Sequence, residues 1–347
     1  MTEALAPLLP GRPHGPARRA ALLLPLLLGG LATTGALALA LGVTPVPTAD
    51  LPAILWGEGG SRVHRIVVWE LRLPRVLTGA VAGAALALSG ALLQDALRND
   101  LAEPGLLGVA SGASLVVAAV VILGLPVPPG ALPVLALLGG LATGVVILGA
   151  TRLTRDPVRM ILVGAALAAL FSALITIIVV LGSPEEVRAL YAWLVGSLIG
   201  RGWDDLAALV PWAAAAVPLA LLLARPLNLL RLGDEVAQGL GLPVFGARAL
   251  ILLVAVALVA PVVARCGPIG FVALIAPHLA RGLLGTGDAR LVLPVAALLG
   301  AWLLVASDLA AREILRPAEL PVGLVVTALG APVAIWLLRR RLVRAAP

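Results

Sequence analysis

The sequence contains no lysine, so all 25 residues in its lysine-plus-arginine total are arginines. A P-loop needs a lysine on the phosphates of its nucleotide, and Schiff-base catalysis needs a lysine amine. This absence excludes a standard ATPase site and Schiff-base chemistry from the chain.

Cysteine, aromatic and charged residues are also scarce. The single cysteine, Cys266, excludes an intrachain disulfide and a cysteine metal cluster. Charged residues make up 12% of the chain and hydrophobic residues 61%, which is far more apolar than an ordinary soluble domain. We therefore predict an all-α polytopic membrane protein. Most arginines flank apolar runs, where they set topology, so the net charge of +7 does not indicate nucleic-acid binding.

Motifs for catalysis are missing as well. The sequence has no HExxH and no GxSxG with plausible partners, and its three histidines, His14, His64 and His278, are scattered. We expect no enzyme activity, cofactor or bound metal. The apolar runs also have almost no ionisable residue at mid-depth, where an ion-coupled carrier binds its coupling ion. This disfavours a secondary transporter, the main alternative from another class, and the lack of paired aspartate motifs disfavours an intramembrane enzyme.

Ten apolar runs bounded by charges, proline or glycine predict ten membrane spans. They cover residues 20–42, 76–96, 105–123, 131–150, 159–181, 206–223, 249–264, 269–284, 291–307 and 321–338. Arginines near both ends of the chain predict that both termini are cytoplasmic, which requires an even number of spans. We expect one transmembrane domain over residues 20–340, with cytoplasmic tails at 1–19 and 341–347.

Two polar connections between these spans are predicted to contain short helices. Residues 187–199 form either a short interfacial helix or an amphipathic loop on the outer side. Residues 232–242, on the cytoplasmic side, suit a short helix with Asp234 as its cap, Glu235 in its first turn and Gly241 as its stop.

Six sequence blocks, in order, resemble the FecCD-type permease subunit of iron-chelate and cobalamin ABC importers. They are RLPR at 72–75, GAALALSGALLQ at 83–94, RNDLAEPGLLGVASGA at 98–113, LGDEVAQGLGLPV at 232–244, GPIGFVALIAPHLAR at 267–281 and ELPVGLVVTALGAPVAIWLL at 319–338. One block alone is suggestive, but six in order are specific.

The resemblance implies the fold and partners of a type II ABC importer. Two copies of a ten-helix permease form the pathway, a separate pair of ATPase subunits docks on the cytoplasmic side, and a solute-binding protein docks outside. The expected location is a bacterial cell membrane. The expected cargo is an iron complex, such as a ferric siderophore or haem, with cobalamin as the alternative.

The resemblance also assigns roles to residues on the two faces. The cytoplasmic segment 225–247 would couple to the ATPase, although an ordinary capped surface helix is the alternative; the expected contacts are Gly233, Asp234, Glu235, Ala237, Leu240 and Gly241. Arg72, Arg75 and Arg312 would pair with carboxylates of the binding protein, whereas the simpler interpretation is that outer arginines reach lipid headgroups.

The remaining assignments concern the transport pathway. The cytoplasmic gate would involve Asn99, Asp100 and Leu101 together with Asp156, Pro157 and Val158. Asp100 stands where the family usually has proline. The pathway would be lined by Gly164, Ala165, Ala168, Ser172 and Thr176, residues that serve equally well in helix packing.

Overall fold

A computed structural model of the chain describes residues 15–105, 108–128, 131–152 and 157–345. The regular secondary structure in these ranges is helical. The helices are α1 (Pro16–Ala40), α2 (Leu51–Leu55), α3 (Arg62–Ile66), α4 (Leu73–Ala96), α5 (Val109–Ile122), α6 (Ala131–Arg152), α7 (Pro157–Val180), α8 (Pro184–Leu194), α9 (Trp203–Leu222), α10 (Ala224–Arg231), α11 (Asp234–Gly239), α12 (Val244–Cys266), α13 (Val272–Leu284), α14 (Ala289–Glu313) and α15 (Val322–Ala345).

Each predicted span coincides with one helix of the structure. Within the described residues, six helices are long and apolar enough to cross a membrane: α1, the continuous helix 62–96, the 162–180 part of α7, α9, α12 and α14. The other four spans correspond to the shorter apolar stretches of α5, α6, α13 and α15. The predicted all-α polytopic class is therefore confirmed, while the sidedness of the termini stays a prediction.

The first helix begins earlier than the first predicted span, and the bounds of the tail and the domain stay predictions. Residues 1–14 lie outside the described part, but α1 already begins at Pro16, inside the predicted tail 1–19. Proline is favourable in the first turn of a helix because its missing N–H has no intrahelical partner there.

Helix α4 lies at the centre of the bundle, where it packs on α14, α12, α13 and α9. Small residues allow this central position. Gly83 faces the backbone of Gly300 on α14, and Gly90 faces the carbonyl of Ala273 on α13. In lipid, helices gain little from burying apolar surface against each other, so close backbone contact at small residues stabilises their association.

The short outer helix was predicted over residues 187–199, with a loop as the alternative, and the helix is the observed form. It begins earlier, at Pro184, because Ser183 and Glu186 form a capping box in which each side chain accepts from the other's backbone N–H. It ends at Leu194, shortly before Gly196, which has a φ of +74°.

The cytoplasmic segment also forms a helix, but its cap differs from the prediction. Gly233, with a φ of +110°, precedes α11, and Asp234 is its first residue rather than its cap. Gly241, with a φ of +83°, follows the helix as expected for a stop signal.

We predict that Gly83→Ala destabilises the protein, because the added methyl group would overlap the Gly300 carbonyl and force α4 away from α14. Overpacking of this kind costs about 1–3 kcal/mol. Thermal unfolding in detergent measures the effect. Gly29→Ala is the matched control, since a methyl group at this position of α1 meets no atom within 4 Å. Equal loss of stability in both variants would contradict the proposed contact.

Candidate functional site

The charged and polar side chains gather at the two ends of the bundle. We call the end that carries α11 the α11 end, and the opposite end, which carries Arg72, Arg75 and Arg312, the arginine end. Both ends contain residues to which the sequence assigned roles, and each end has an ion pair between segments far apart in the chain.

At the α11 end, the carboxylate of Asp234 receives two guanidinium groups. Arg248 of α12 donates through Nη2 to Oδ1 at 2.8 Å and through Nη1 to Oδ2 at 3.1 Å. Arg98, which follows α4, donates through Nη2 to Oδ1 at 3.1 Å. These hydrogen bonds, with Arg248 as the main cause, lower the pKa of the Asp234 carboxyl. Asp234 is therefore ionised at neutral pH and fixed to two other segments.

The surface of the same segment is apolar. Leu232, Val236 and Leu240 recur every four residues and are 60%, 50% and 60% exposed, and Phe245 nearby is 46% exposed. We call these four residues the α11 patch. Exposed apolar clusters of this kind mark contacts with another protein or with lipid.

The predicted ATPase contacts divide into exposed and buried residues. Glu235, Leu240 and Gly241 are exposed, and Gly233 and Asp234 are half-buried. Ala237 has no exposed surface. The prediction that Ala237 contacts the ATPase is wrong for this structure, because its methyl group is buried in the packing that holds α11 in place.

Val236 and Phe245 belong to the α11 patch but were not among the predicted contacts. The spacing of 232, 236 and 240 was the available signal, because residues four apart lie on one face of a helix. Phe245 follows a turn and carried no comparable signal.

The first half of the predicted gate forms a tight turn directly after α4. Arg98 has a φ of +49°, and the Asn99 side-chain Oδ1 accepts the backbone N–H of Leu101 at 3.1 Å. Asp100 lies within this turn. The turn is thus stabilised by a local side-chain bond of Asn99.

The second half of the predicted gate lies at the edge of the described structure. Asp156 is outside the described residues. Pro157 and Val158 are the first two residues of α7. Their assignment to the gate stays a prediction.

The predicted pathway residues on α7 fall on two faces of the helix. Gly164 is buried, and its backbone, like that of Ala168, faces Gly108 at the start of α5. These two positions therefore serve helix packing, which was the alternative interpretation.

Ala165, Ser172 and Thr176 lie on the exposed face of α7. The Thr176 hydroxyl donates to the Ser172 carbonyl at 2.9 Å, so its hydrogen bond is satisfied within the helix. This face is covered by no other part of the described chain and is free to line a pathway or meet another copy.

At the arginine end, Arg72 is 7% exposed and caps the end of α1. Its Nη1 donates to the Leu39 and Ala40 carbonyls at 2.6 and 3.1 Å, and its Nη2 donates to the Thr44 carbonyl at 2.7 Å. These carbonyls lie at or just after the last turn of α1, where intrahelical donors run out.

Arg75 and Arg312 are equally buried and share one carboxylate. Arg75 forms a bidentate pair with Asp308 of α14, with Nε and Nη2 each 2.9 Å from an oxygen, and it reaches Glu319 at 2.7 Å. Arg312 Nε lies 3.7 Å from Asp308, and its Nη2 donates to the Ala38 carbonyl at 2.9 Å.

These contacts bear on the two interpretations of the outer arginines. Arg72, Arg75 and Arg312 are bound inside the protein and are not extended towards lipid headgroups. They line a cavity of about 180 Å³ together with Glu319. Arg62, Arg65 and Arg316 are exposed at the same end.

Asp308 and Glu319, the acidic partners of this cluster, were not predicted as site residues. Asp308 directly follows an apolar run, which is an unusual place for a carboxylate that has no partner, and Glu319 begins one of the six family blocks.

One further acid, Glu103, lies in the loop after α4. It accepts the backbone N–H of Phe271, and burial raises the pKa of its carboxyl. It lines a small cavity with Leu86 of α4 and Val259 of α12. The apolar spans themselves gave no indication of this group.

Comparison with known proteins identifies the family. The FecCD transport family matches residues 30–340, which is most of the chain. The chain belongs to the FecCD transport family. This confirms the resemblance found in the six sequence blocks, and the family is one of transport permeases.

Individual relatives match over nearly their whole length. The Fe(3+) dicitrate transport system permease protein FecD of Escherichia coli is 43% identical over 89% of this chain and 96% of its own length. The vitamin B12 import system permease protein BtuC of Klebsiella pneumoniae is 41% identical over 82% of this chain and 86% of its own. A solved metal-chelate type ABC transporter in an inward-facing conformation is 30% identical and superimposes with a TM-score of 0.80, covering 92% of this chain and 99% of that one.

We predict that Arg75→Leu destabilises the protein by about 3–5 kcal/mol, because it leaves the buried Asp308 carboxylate without its bidentate partner. Adding Asp308→Leu restores part of the loss, since the uncompensated charge is then removed. Thermal unfolding in detergent measures both variants.

The control for this pair is Arg316→Leu, which removes the more exposed ion pair between Arg316 and Glu313. Surface pairs contribute about 0–1 kcal/mol, so we expect little change. A double variant no more stable than Arg75→Leu alone would contradict the role given to Asp308.

Proposed function

We propose that this chain is the membrane permease subunit of an ATP-driven importer that moves an iron complex across a bacterial cell membrane. The observation that carries the proposal is the match of the FecCD transport family to residues 30–340, which spans the bundle from α1 to α15. The relatives whose names specify iron or vitamin B12 cover the same bundle.

Energy would come from a separate ATPase subunit docked at the α11 end. The chain has no lysine and therefore no P-loop of its own. The α11 patch supplies apolar surface for such a partner, and the ion pairs of Asp234 hold the segment that carries it. A large apolar contact on a fixed helix suits a permanent subunit interface.

A binding protein would deliver the cargo at the arginine end. Three guanidinium groups and two carboxylates leave the cluster of Arg72, Arg75, Arg312, Asp308 and Glu319 with a net charge of +1. A carboxylate from an acidic partner surface would complete the charge balance in the cavity, and the exposed Arg62, Arg65 and Arg316 would attract that surface.

A second copy of the chain would form the other half of the pathway. The exposed face of α7, with Ala165, Ser172 and Thr176, offers small and weakly polar residues of the kind that line a conduit or a close helix contact. Such a surface gives few groups that would select a ligand, so we assign selection to the binding protein.

The test is uptake into proteoliposomes that contain this chain and a cognate ATPase subunit, with a cognate binding protein added outside. We expect ATP-dependent uptake of an iron complex, with ferric citrate as the first probe. Cyanocobalamin uptake instead would support the cobalamin alternative. Uptake that proceeds without ATP and stops with a proton ionophore would refute the proposal in favour of an ion-coupled carrier.

We predict that Leu240→Glu abolishes co-purification of the ATPase subunit, because it places a charge in the middle of the exposed α11 patch. Pull-down from detergent extracts measures the effect. Leu315→Glu, at a similarly exposed leucine of the arginine end, is the matched control and should leave co-purification unchanged. Retained ATPase in the Leu240→Glu extract would show that the patch is not the docking surface.

A further inference from the structure

Asp234 joins three segments of the chain at one carboxylate. It is the first residue of α11, Arg248 comes from α12, and Arg98 follows the end of α4. We call these three residues the Asp234 clamp. Its members are 136 and 14 residues away from Asp234 in sequence, so the clamp is a tertiary connection and not a local turn.

Arg248 extends the clamp into the end of α4. Its Nε donates to the carbonyl of Ala96, the last residue of α4, at 3.1 Å, while its Nη atoms hold Asp234. The residue is 5% exposed. A single guanidinium therefore fixes the distance between the start of α11 and the end of α4, and its planar fork makes that link directional.

Arg98 provides a second link to the same place. It directly precedes Asn99, whose side-chain Oδ1 accepts the backbone N–H of Leu101 in the turn after α4. Arg98 holds its guanidinium on Asp234 from a backbone with a φ of +49°, a conformation uncommon for a residue other than glycine. The turn after α4 thus begins at Arg98, which is bound to Asp234 of α11.

The rest of the last turn of α4 is fixed to α13. Arg281 donates to Gln94 at 2.6 Å and to Asp95 at 2.9 Å. The last turn of α4 is therefore bound by Arg281 of α13 and by Arg248 of α12. Of these two arginines, Arg248 also binds Asp234 of α11.

We infer that Asp234, Arg248 and Arg98 transmit movement of the α11 patch to the end of α4 and the turn at 99–101, and that they are positioning residues for transport. The inference rests on the proposed function, because it needs an ATPase that moves the patch. Helix α11 is only 6 residues long and packs mainly on α10 and α12, so the clamp is its charged connection to α4.

Asp234→Asn tests the inference, because it removes the charge of the clamp and leaves the α11 patch in place. In the reconstituted complex we expect at least a tenfold loss of cargo taken up per ATP hydrolysed, a ratio that is independent of the hydrolysis rate itself. Asp234→Glu, which keeps the charge, should recover most of the loss.

Asp288→Asn is the matched control. Asp288 also lies at the α11 end, where its carboxylate accepts from Asn228 of α10 and caps α14, and within the described residues these bonds do not reach α11 or α4. This variant should keep cargo per ATP unchanged even if its melting temperature falls. An equal loss of cargo per ATP in both variants would overturn the inference in favour of general destabilisation.

A second readout follows the turn itself. In a Cys266→Ala background, Leu101→Cys gives a single thiol beside Asn99, and its reaction rate with a maleimide is compared with and without a non-hydrolysable ATP analogue. We expect a nucleotide-dependent rate that Asp234→Asn abolishes. A nucleotide-dependent rate unchanged by Asp234→Asn would overturn the inference.

Arg98→Gln is the alternative variant if the Asp234→Asn protein does not assemble with the ATPase subunit. Arg98 is the more exposed arm of the clamp, and its loss leaves the Arg248 pair intact. We expect about a threefold loss of cargo per ATP, and wild-type coupling would count against the clamp. A wild-type complex without ATP-driven uptake would instead refute the proposed function, and the wild-type arm alone shows this.

Discussion

The structure depends on backbone contact between helices at glycine. Gly83 against Gly300 and Gly90 against Ala273 bring α4 close to α14 and α13 at a depth where lipid gives no hydrophobic reason to associate. Because α4 occupies the centre, its two ends become the fixed points of the molecule. Arg75 lies at one end and Ala96 at the other, and the candidate sites are built around them.

Charge is used in the same way at both ends. Bidentate arginine pairs with Asp308 and with Asp234 connect different helices, and in each case the arginine is almost fully buried. A buried ion pair repays its desolvation only when its geometry is good and its other hydrogen bonds are satisfied, which holds for Arg75 and Arg248. At the α11 end, Asp234 is bound by the buried Arg248 while the apolar side chains of the α11 patch face outward.

The sequence was sufficient for the positions of the helices and insufficient for the directions in which they face. Within the described residues, the apolar runs located six long helices and four shorter apolar ones, because membrane spans differ strongly in composition from their connections. Helix α7 is apolar on every side, so its residues alone did not show that Gly164 faces α5 while Ser172 is exposed. In a six-residue helix such as α11, the buried position at Ala237 and the exposed position at Val236 depend on neighbours from other parts of the chain. The partners of Arg72 are backbone carbonyls, which no side-chain pattern can reveal.

The capping of α1 by two arginines has a consequence for how the protein is made. The carbonyls at the end of α1 are bound by Arg72 and by Arg312, and the latter is 274 residues away from its acceptor. Synthesis proceeds from the N-terminus, so Arg72 emerges soon after α1, whereas the Ala38 carbonyl meets Arg312 only after almost the whole chain has been made. The last bond at the end of the first helix is therefore made by a late helix, and a chain that stops before α14 would lack it.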